Sequence, residues 1–564
     1  MKQTRYFTLL LLLLMVVTVA RAVPARPGTK QTFTLNGGTR LSAVLTGDEY
    51  LHYWLTDDGL KLDDDGSVIS PQAFSWLRQK AAARRMHNGE RRTRRLKKAQ
   101  TTSGRTLPVR TYEGRKRGLI ILVEFSDLQF REGHDLDFYY RMANEVAFST
   151  QDGFHASVHD YFMDQSRGRF DLTFDVLGPI KMPQSYTYYG QNGGKYNFDL
   201  HPGEMLISAC QAVDDAVDFH HYDWDADGEV DQVMIIYAGR GENNGGGSQT
   251  IWPHEWTLDE AEGHTIMLDG LTINTYACSC EMKTNLQVDG IGTTCHEFSH
   301  CLGLPDFYDT DYGGHYGMDR WSVMAKGSYN DQAFTPAGFT SLERMCCGWL
   351  EPVVLQGDME IDNMKGLTEG GEACIVSNDA WPDEFYLLEN RQPVSWDAYL
   401  PGSGLLVIHV DYDEMAWQWN LVNTIGNFES EPGYGPGAVN DHQRCTIFHA
   451  DNNNGSSATA TYPQPESNEL TPTSIPAAAL FHPNSEGRYT MNASVTAITQ
   501  NADGTVSFRF SGPEPTAITQ PPSLITHHPS PITRHPSPIT LTGRPAGRNP
   551  HGIIIINGKK TMIK

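Results

Sequence analysis

The sequence predicts a multidomain chain: a small N-terminal segment, an α/β (α+β) domain, and an all-β, sandwich-like domain behind it. Three observations lead there. The chain has 564 residues, enough for roughly three to five domains. Two nearly continuous apolar runs, Leu119–Phe125 and Val233–Tyr237, have the texture of buried strands, and Val158–Met163 and Glu204–Val217 between them have helical spacing. From about 350 to 512 the pattern changes to short strand-like pieces separated by Gly-, Pro- and Asn-rich turns.

Residues 1–22 predict a secretory signal peptide. Lys2 and Arg5 precede an apolar run from Phe7 to Ala20, and Ala20-Arg21-Ala22 has the small-x-small form of a cleavage site. The alternative is an uncleaved membrane anchor. No later run is long enough for a transmembrane helix, so the mature chain is expected to lack one and to be secreted or held at the outer cell surface.

Residues 23–117 divide in two. Short alternating stretches, Gln31–Leu35 and Tyr50–Leu55, lie around the turn signals Asp57-Asp58-Gly59 and Asp64-Asp65-Gly66. A basic block follows. The whole chain has 44 Lys and Arg against 68 Asp and Glu, a net charge of −24, whereas residues 84–117 carry 13 basic side chains against 2 acidic ones. The overall acidity argues against a nucleic-acid partner, which a basic face would meet. The block itself predicts an exposed linker or a solvated charged helix. Its pairs Arg84-Arg85, Arg91-Arg92, Arg94-Arg95 and Lys97-Lys98 suit a trypsin-like activating protease, as does Arg115–Arg117.

The α/β domain is expected over 118–349, and two motifs in it carry chemistry. Asp223, Asp225, Asp227, Glu229 and Asp231 form a DxDxDGxxD loop, with Gly228 at the sixth position. Alternating carboxylates wrap oxygens around one hard cation, which predicts a structural calcium site. Position twelve is Met234 and a strand follows, so the loop is not a full EF-hand. The alternative is an Asp/Gly-rich turn without metal.

The second motif is His296-Glu297-Phe298-Ser299-His300-Cys301-Leu302-Gly303-Leu304-Pro305-Asp306. Histidines four apart share one face of a helix, so His296 and His300 can reach one zinc ion. Gly303 can end the helix in a left-handed turn, Pro305 forbids its continuation, and the returning chain lets Asp306 supply a third ligand. Three protein ligands leave a fourth position open, as a catalytic zinc requires. Glu297 is then the general base toward a zinc-activated water. Met324, in Trp321-Ser322-Val323-Met324-Ala325-Lys326-Gly327, is the candidate for a methionine turn beneath the zinc histidines, with Met318 as its competitor.

The string CHEFSHCLGLPDFYD resembles the immune inhibitor A family of secreted bacterial metallopeptidases, metzincins with an Asp as third zinc ligand. Ser157–Phe162 with Gln165-Ser166 and Gly168, Ile251–His254, Gly292-Thr293-Thr294 and Trp396–Leu406 also fit that family. The resemblance spans roughly 30–510. It implies a propeptide over 23–117, a metzincin-like catalytic domain over 118–349 and a β-rich domain over 350–512. It matches His296, His300 and Asp306 to the zinc ligands, Glu297 to the base and Met324 to the Met-turn. It also favours calcium at the acidic loop. Some metzincins place a Tyr two residues after the Met; here Lys326 stands there, and Tyr329 is the nearby alternative. No cysteine lies in 23–117, so latency must use another side chain or steric blockage.

Residues 513–540 are a Pro/Ser/Thr-rich linker with the near-repeats ITHHPSP and ITRHPSP. Residues 541–564 resemble the terminal signature of type IX secretion sorting tails, which makes that machinery a partner; the alternative is a hairpin turning at Asn557-Gly558. Nine cysteines are too few for a disulfide scaffold of this size. The function expected is a secreted zinc metalloendopeptidase acting on protein substrates and made as a zymogen. The competing expectation is a non-catalytic surface adhesin or glycan-binding protein that keeps a metzincin fold; a third is an adhesin-cleaving enzyme whose β domain docks glycans through the aromatics around Trp396, Trp417 and Trp419, for which core packing is the alternative.

Overall fold

The computed structural model describes residues 23–34, 40–81, 100–101, 107–193, 199–310, 314–429, 439–454, 456–513, 539–540, 552–556 and 559–563. The signal-peptide and basic-block readings, residues 1–22 and 84–98, lie outside them. The chain forms two compact units, Met1–Glu514 and Pro515–Lys564.

At the N-terminus, strands β1 (Lys30–Thr34), β2 (Arg40–Gly47), β3 (His52–Thr56) and β4 (Lys61–Leu62) make an antiparallel meander in sequence order. A helix over 71–81 follows. This layer keeps a small core of its own, Phe33, Ala43, Leu45, Trp54 and Leu62 with Trp252, and a second apolar face packs onto the next layer. Tyr50, Leu51, Tyr53, Ile69 and Leu77 are buried in one apolar cluster with Leu119, Ile121, Ile235 and Tyr276 of the next layer. Removing the segment would expose that surface, so it covers one face of the sheet behind it.

The expected catalytic layer is a five-stranded sheet of order β8-β9-β7-β5-β6, built from β5 (Gly114–Glu124), β6 (Phe170–Lys181), β7 (Val233–Arg240), β8 (His254–Thr257) and β9 (Thr275–Met282). β5 runs parallel to β6 and β7, β9 runs parallel to β7, and the edge strand β8 is antiparallel. Leu119–Val123 and Val233–Ile235 are fully buried, as strands covered on both faces require. The helices Val158–Gln165 and Pro202–Val213 lie where the spacing predicted them. Ser157 caps the first through a capping box with Asp160.

The expected boundary at 118 moves. β5 starts at Gly114, so Arg115, Lys116 and Arg117 are sheet residues paired with Asp171, Leu172 and Thr173. Arg115 bonds Asp171 at 3.1 Å and Arg117 bonds Asp175 at 2.6 Å. A cut at 115–117 would sever a central strand, which leaves the 84–98 pairs as the activation candidates.

The β-rich region has a five-stranded sheet (353–354, 373–377, 384–391, 404–411, 445–447) and a three-stranded sheet (358–364, 506–511, 494–500). Side-chain alternation along Glu384–Arg391 serves two cores. Tyr386 and Leu388 face Val495, Phe508 and Phe510 of the smaller sheet. Phe385 and Leu387 join the core that contains Phe298, Trp321 and Met324. The region is therefore sandwich-like, yet it shares a core with the catalytic layer. A buried ion-pair cluster crosses the same junction: Arg391 bonds Asp397 at 2.6 and 2.7 Å and Glu389 at 2.9 Å, and donates to the carbonyls of Trp321 and Gly338.

In the second unit, Ile539–Thr540, Gly552–Ile556 and Lys559–Ile563 form a three-stranded antiparallel sheet. All nine cysteines are buried. No helix among the described residues is long and apolar enough to cross a membrane.

Candidate metal centre

The helix Gly292–Cys301 is buried along its whole length, which is unusual for a segment with two His and a Glu. Glycine makes that depth possible. A Cβ on Gly292 would stand 1.9 Å from the carbonyl oxygen of Ser328, and one on Gly290 would stand 2.1 Å from that of Ala333. The helix ends after Cys301, and Gly303 adopts φ +88°, a left-handed conformation that suits glycine.

Each histidine has one ring nitrogen committed. His296 Nδ1 donates to the carbonyl of Val323 at 2.7 Å, and His300 Nδ1 donates to that of Leu304 at 2.9 Å. A carbonyl only accepts, so both rings are held as Nδ1–H tautomers with the Nε2 lone pair turned into the site. Asp306 Oδ1 lies 3.2 Å from His296 Nε2 and 3.5 Å from His300 Nε2. All three side chains are 0% exposed. His296 Nε2 and Asp306 Oδ1 make no hydrogen bond despite that burial. Buried polar atoms left so are costly, and a cation between them relieves the cost. Two imidazoles and a carboxylate suit zinc.

The carboxyl group of Glu297 is pushed well up by burial and by the charge of Asp306, against the hydrogen bond from Val23. Its Oε1 accepts the backbone N–H of Val23 at 2.8 Å. Residues 23–26 thus run through the site. Trp252 Nε1 donates to the carbonyl of Val23 at 3.0 Å, and the Tyr329 hydroxyl donates to that of Pro24 at 2.6 Å. Tyr329, the alternative residue near the Met-turn, is in this way tied to the N-terminal segment. Met324, next in the chain to the Val323 that bonds His296, is fully buried, its N–H donating to Ser322 Oγ at 3.0 Å and its carbonyl accepting from Phe307 N at 2.8 Å.

One site residue has no motif to announce it. Asn420 has φ +57° and reaches Asp306 from the β-rich region: Asp306 N donates to its Oδ1 at 2.7 Å, and its Nδ2 donates to Asp306 Oδ2. Asn423 Nδ2 donates to the carbonyl of Phe307 at 2.8 Å. A lone Asn 114 positions away carries no spacing signal.

At the acidic loop, Asp223, Asp225 and Asp227 each bring a carboxylate oxygen within 4.8 Å of the others. Gly228 at φ +90° makes the turn. The other two expected ligands are outside that trio. Asp231 accepts from Trp224 N at 2.6 Å, and Glu229 accepts from Thr275 Oγ1 at 3.5 Å. Arg110 lies 3.0 Å from Asp225 and 3.7 Å from Asp231, so part of the loop's charge is already met. The aromatics considered for glycan docking are core or half-buried. Trp396 is buried with Nε1 on Asp164 at 2.8 Å, and Trp417 is buried against Phe307 and Tyr412.

Residues 110–346 match the family described as the immune inhibitor A peptidase M6 catalytic domain. Among curated proteins, immune inhibitor A of Bacillus thuringiensis subsp. alesti is 28% identical over 265 residues, which cover 39% of this chain and 38% of that protein. The pre-pro-metalloprotease PrtV of Vibrio cholerae serotype O1 (strain ATCC 39315 / El Tor Inaba N16961) is 29% identical over 196 residues, 31% of this chain and 21% of that one. The chain thus spans well under half the length of either relative. The matched stretch holds the HExxH helix and Asp306, and its similarity is to metallopeptidases.

Proposed function

We propose that the chain is a secreted zinc-dependent endopeptidase, made as a zymogen, in which His296, His300 and Asp306 hold the metal and Glu297 is the general base. The observation that carries this reading is the meeting of His296 Nε2, His300 Nε2 and Asp306 Oδ1 in a buried site, with Glu297 beside them already holding a peptide nitrogen. When bound there, zinc polarises a peptide carbonyl and lowers the pKa of water. Glu297 accepts the proton of the attacking water and returns it to the leaving amine, and its contact with Val23 N marks where that amine stands. Val323 and Leu304 keep both imidazoles in the ligating tautomer, and Asn420 keeps Asp306 in place.

Latency follows from occupancy. Residues 23–26 fill the cleft, and the meander behind them is packed into the catalytic core. A trypsin-like cut among the basic pairs of 84–98 would free this cover. Signal-peptide cleavage after Ala22 would make Val23 the first residue, and the tail at 541–564 would engage type IX secretion machinery. Calcium at Asp223, Asp225 and Asp227 would brace the loop before β7.

The test is Glu297→Ala in the processed protein. It should keep stoichiometric zinc by elemental analysis and lose casein or gelatin clearance by at least about a hundredfold. Near-normal clearance, or protein that binds no zinc, would overturn the reading.

A further inference from the structure

Arg26 occupies a pocket whose chemistry bears on substrate choice. Its Nη2 bonds Asp289 Oδ1, its Nη1 donates to the carbonyl of Gln332 at 3.3 Å, and its guanidinium carbon stands 5.0 Å from the ring centre of Tyr329. The Arg26 side chain is 9% exposed and that of Asp289 2%. Asp289 is firmly set: Oδ1 accepts its neighbour Gly290 N at 3.0 Å, and Oδ2 accepts Thr293 Oγ1 at 3.4 Å and Cys280 Sγ at 3.8 Å. Lys283 is not paired with Asp289 while Arg26 is in place. Its ammonium lies 3.9 Å from the ring centre of Phe334 and makes no ion pair with Asp289 among the described residues. When the N-terminal segment departs, a buried carboxylate loses the cation that paired it, at a cost.

The position of that pocket along the cleft follows from Glu297. The nitrogen it holds stands where a leaving amine stands, so Val23 occupies the first residue position after the cut bond and Arg26 the fourth. The intervening contacts address backbone atoms that any peptide owns: Trp252 on the Val23 carbonyl, Tyr329 on the Pro24 carbonyl, and the Asn243 carbonyl accepting Arg26 N at 3.0 Å. They define a track, and Asp289 is its charged recognition point.

We propose that Asp289, with the Tyr329 ring and the Gln332 carbonyl, forms a cation subsite, and that the active enzyme selects substrates with arginine at the fourth residue after the cut bond. The inference rests on the peptidase reading of the metal centre. Lysine should be second, because an ammonium meets the carboxylate but cannot stack its plane on Tyr329.

The test uses processed enzyme and quenched peptides of one sequence that differ only at that fourth position: arginine, lysine, citrulline or alanine. Mass spectrometry fixes the cut. Citrulline keeps the shape and removes the charge. kcat/KM should be about tenfold to a hundredfold higher for arginine than for citrulline, with lysine between. Asp289→Asn should bring the arginine-to-citrulline ratio close to one. Equal rates for arginine and citrulline in the unaltered enzyme would overturn the subsite and leave the peptidase reading intact, and this comparison needs no variant to fold. An unchanged ratio in folded Asp289→Asn would also overturn it. No cleavage of any peptide would remove the peptidase reading and the subsite together.

Discussion

Asn420 grips Asp306 at two points, accepting from its backbone N–H at 2.7 Å and donating to the outer oxygen of its carboxylate. That leaves Oδ1 directed at both histidines. The third proposed ligand is thus aimed by a residue from the β-rich region.

Asn420→Ala should therefore weaken zinc binding by about tenfold to a hundredfold, as loss of an outer-shell partner typically does. Competition with a chromophoric chelator measures it. Unchanged affinity would show that Asp306 is aimed by its own loop.

The contact of the N-terminal segment with the catalytic layer should depend on pH through His52. Its ring stacks on Trp252 and its Nε2 lies 3.3 Å from Glu242, with Asp64 also near and Asp199 beside Glu242. Burial opposes the imidazolium, but Glu242 outweighs it and raises the pKa from 6.5 to about 10. A raised pKa gives stability that is complete below the free value and is lost as pH rises through the folded one. The melting-temperature advantage of the uncleaved protein over His52→Gln should thus be lost as pH rises through about 10, and should also shrink at acid pH, where burial makes the Glu242 carboxyl take up its proton early. A constant difference across that window would contradict the ion pair.

Arg391→Ala should destabilise the first unit by about 3–5 kcal/mol, because it strands Glu389 and Asp397 as buried charges. Denaturant unfolding reads the loss. Arg391→Met with Glu389→Gln and Asp397→Asn should recover part of it, since no uncompensated charge remains.

Calcium should raise the melting temperature without joining the chemistry. At a hundredfold excess over Kd the stabilisation is about 2.7 kcal/mol. A calcium-selective chelator and Asp225→Ala should each lower the melting temperature while zinc stays bound. Arg110, already on Asp225, should soften the drop in the chelated protein. A melting curve indifferent to both treatments would make the loop an acidic turn.

Local chemistry made the HExxH helix, its glycine stop and Asp306 legible from the sequence alone, because ligand spacing is set by helical geometry and by the φ that glycine permits. Leu119–Phe125 and Val233–Tyr237 were legible for a similar reason: a strand buried on both faces must be apolar throughout. Tertiary structure alone decided the rest. It brought Asn420 to Asp306, threaded Val23 to Glu297, set Arg26 against Asp289 and His52 against Glu242, and joined the β-rich sheet to the catalytic core. It also set Glu229 against Thr275 and Asp231 against the Trp224 N–H, and made Arg115–Arg117 part of a strand. Each of these is a pairing between residues far apart in the chain or a choice of which side a residue faces. Such contacts form because packing closes the space between distant segments, and no periodicity or spacing in one segment records its partner in another.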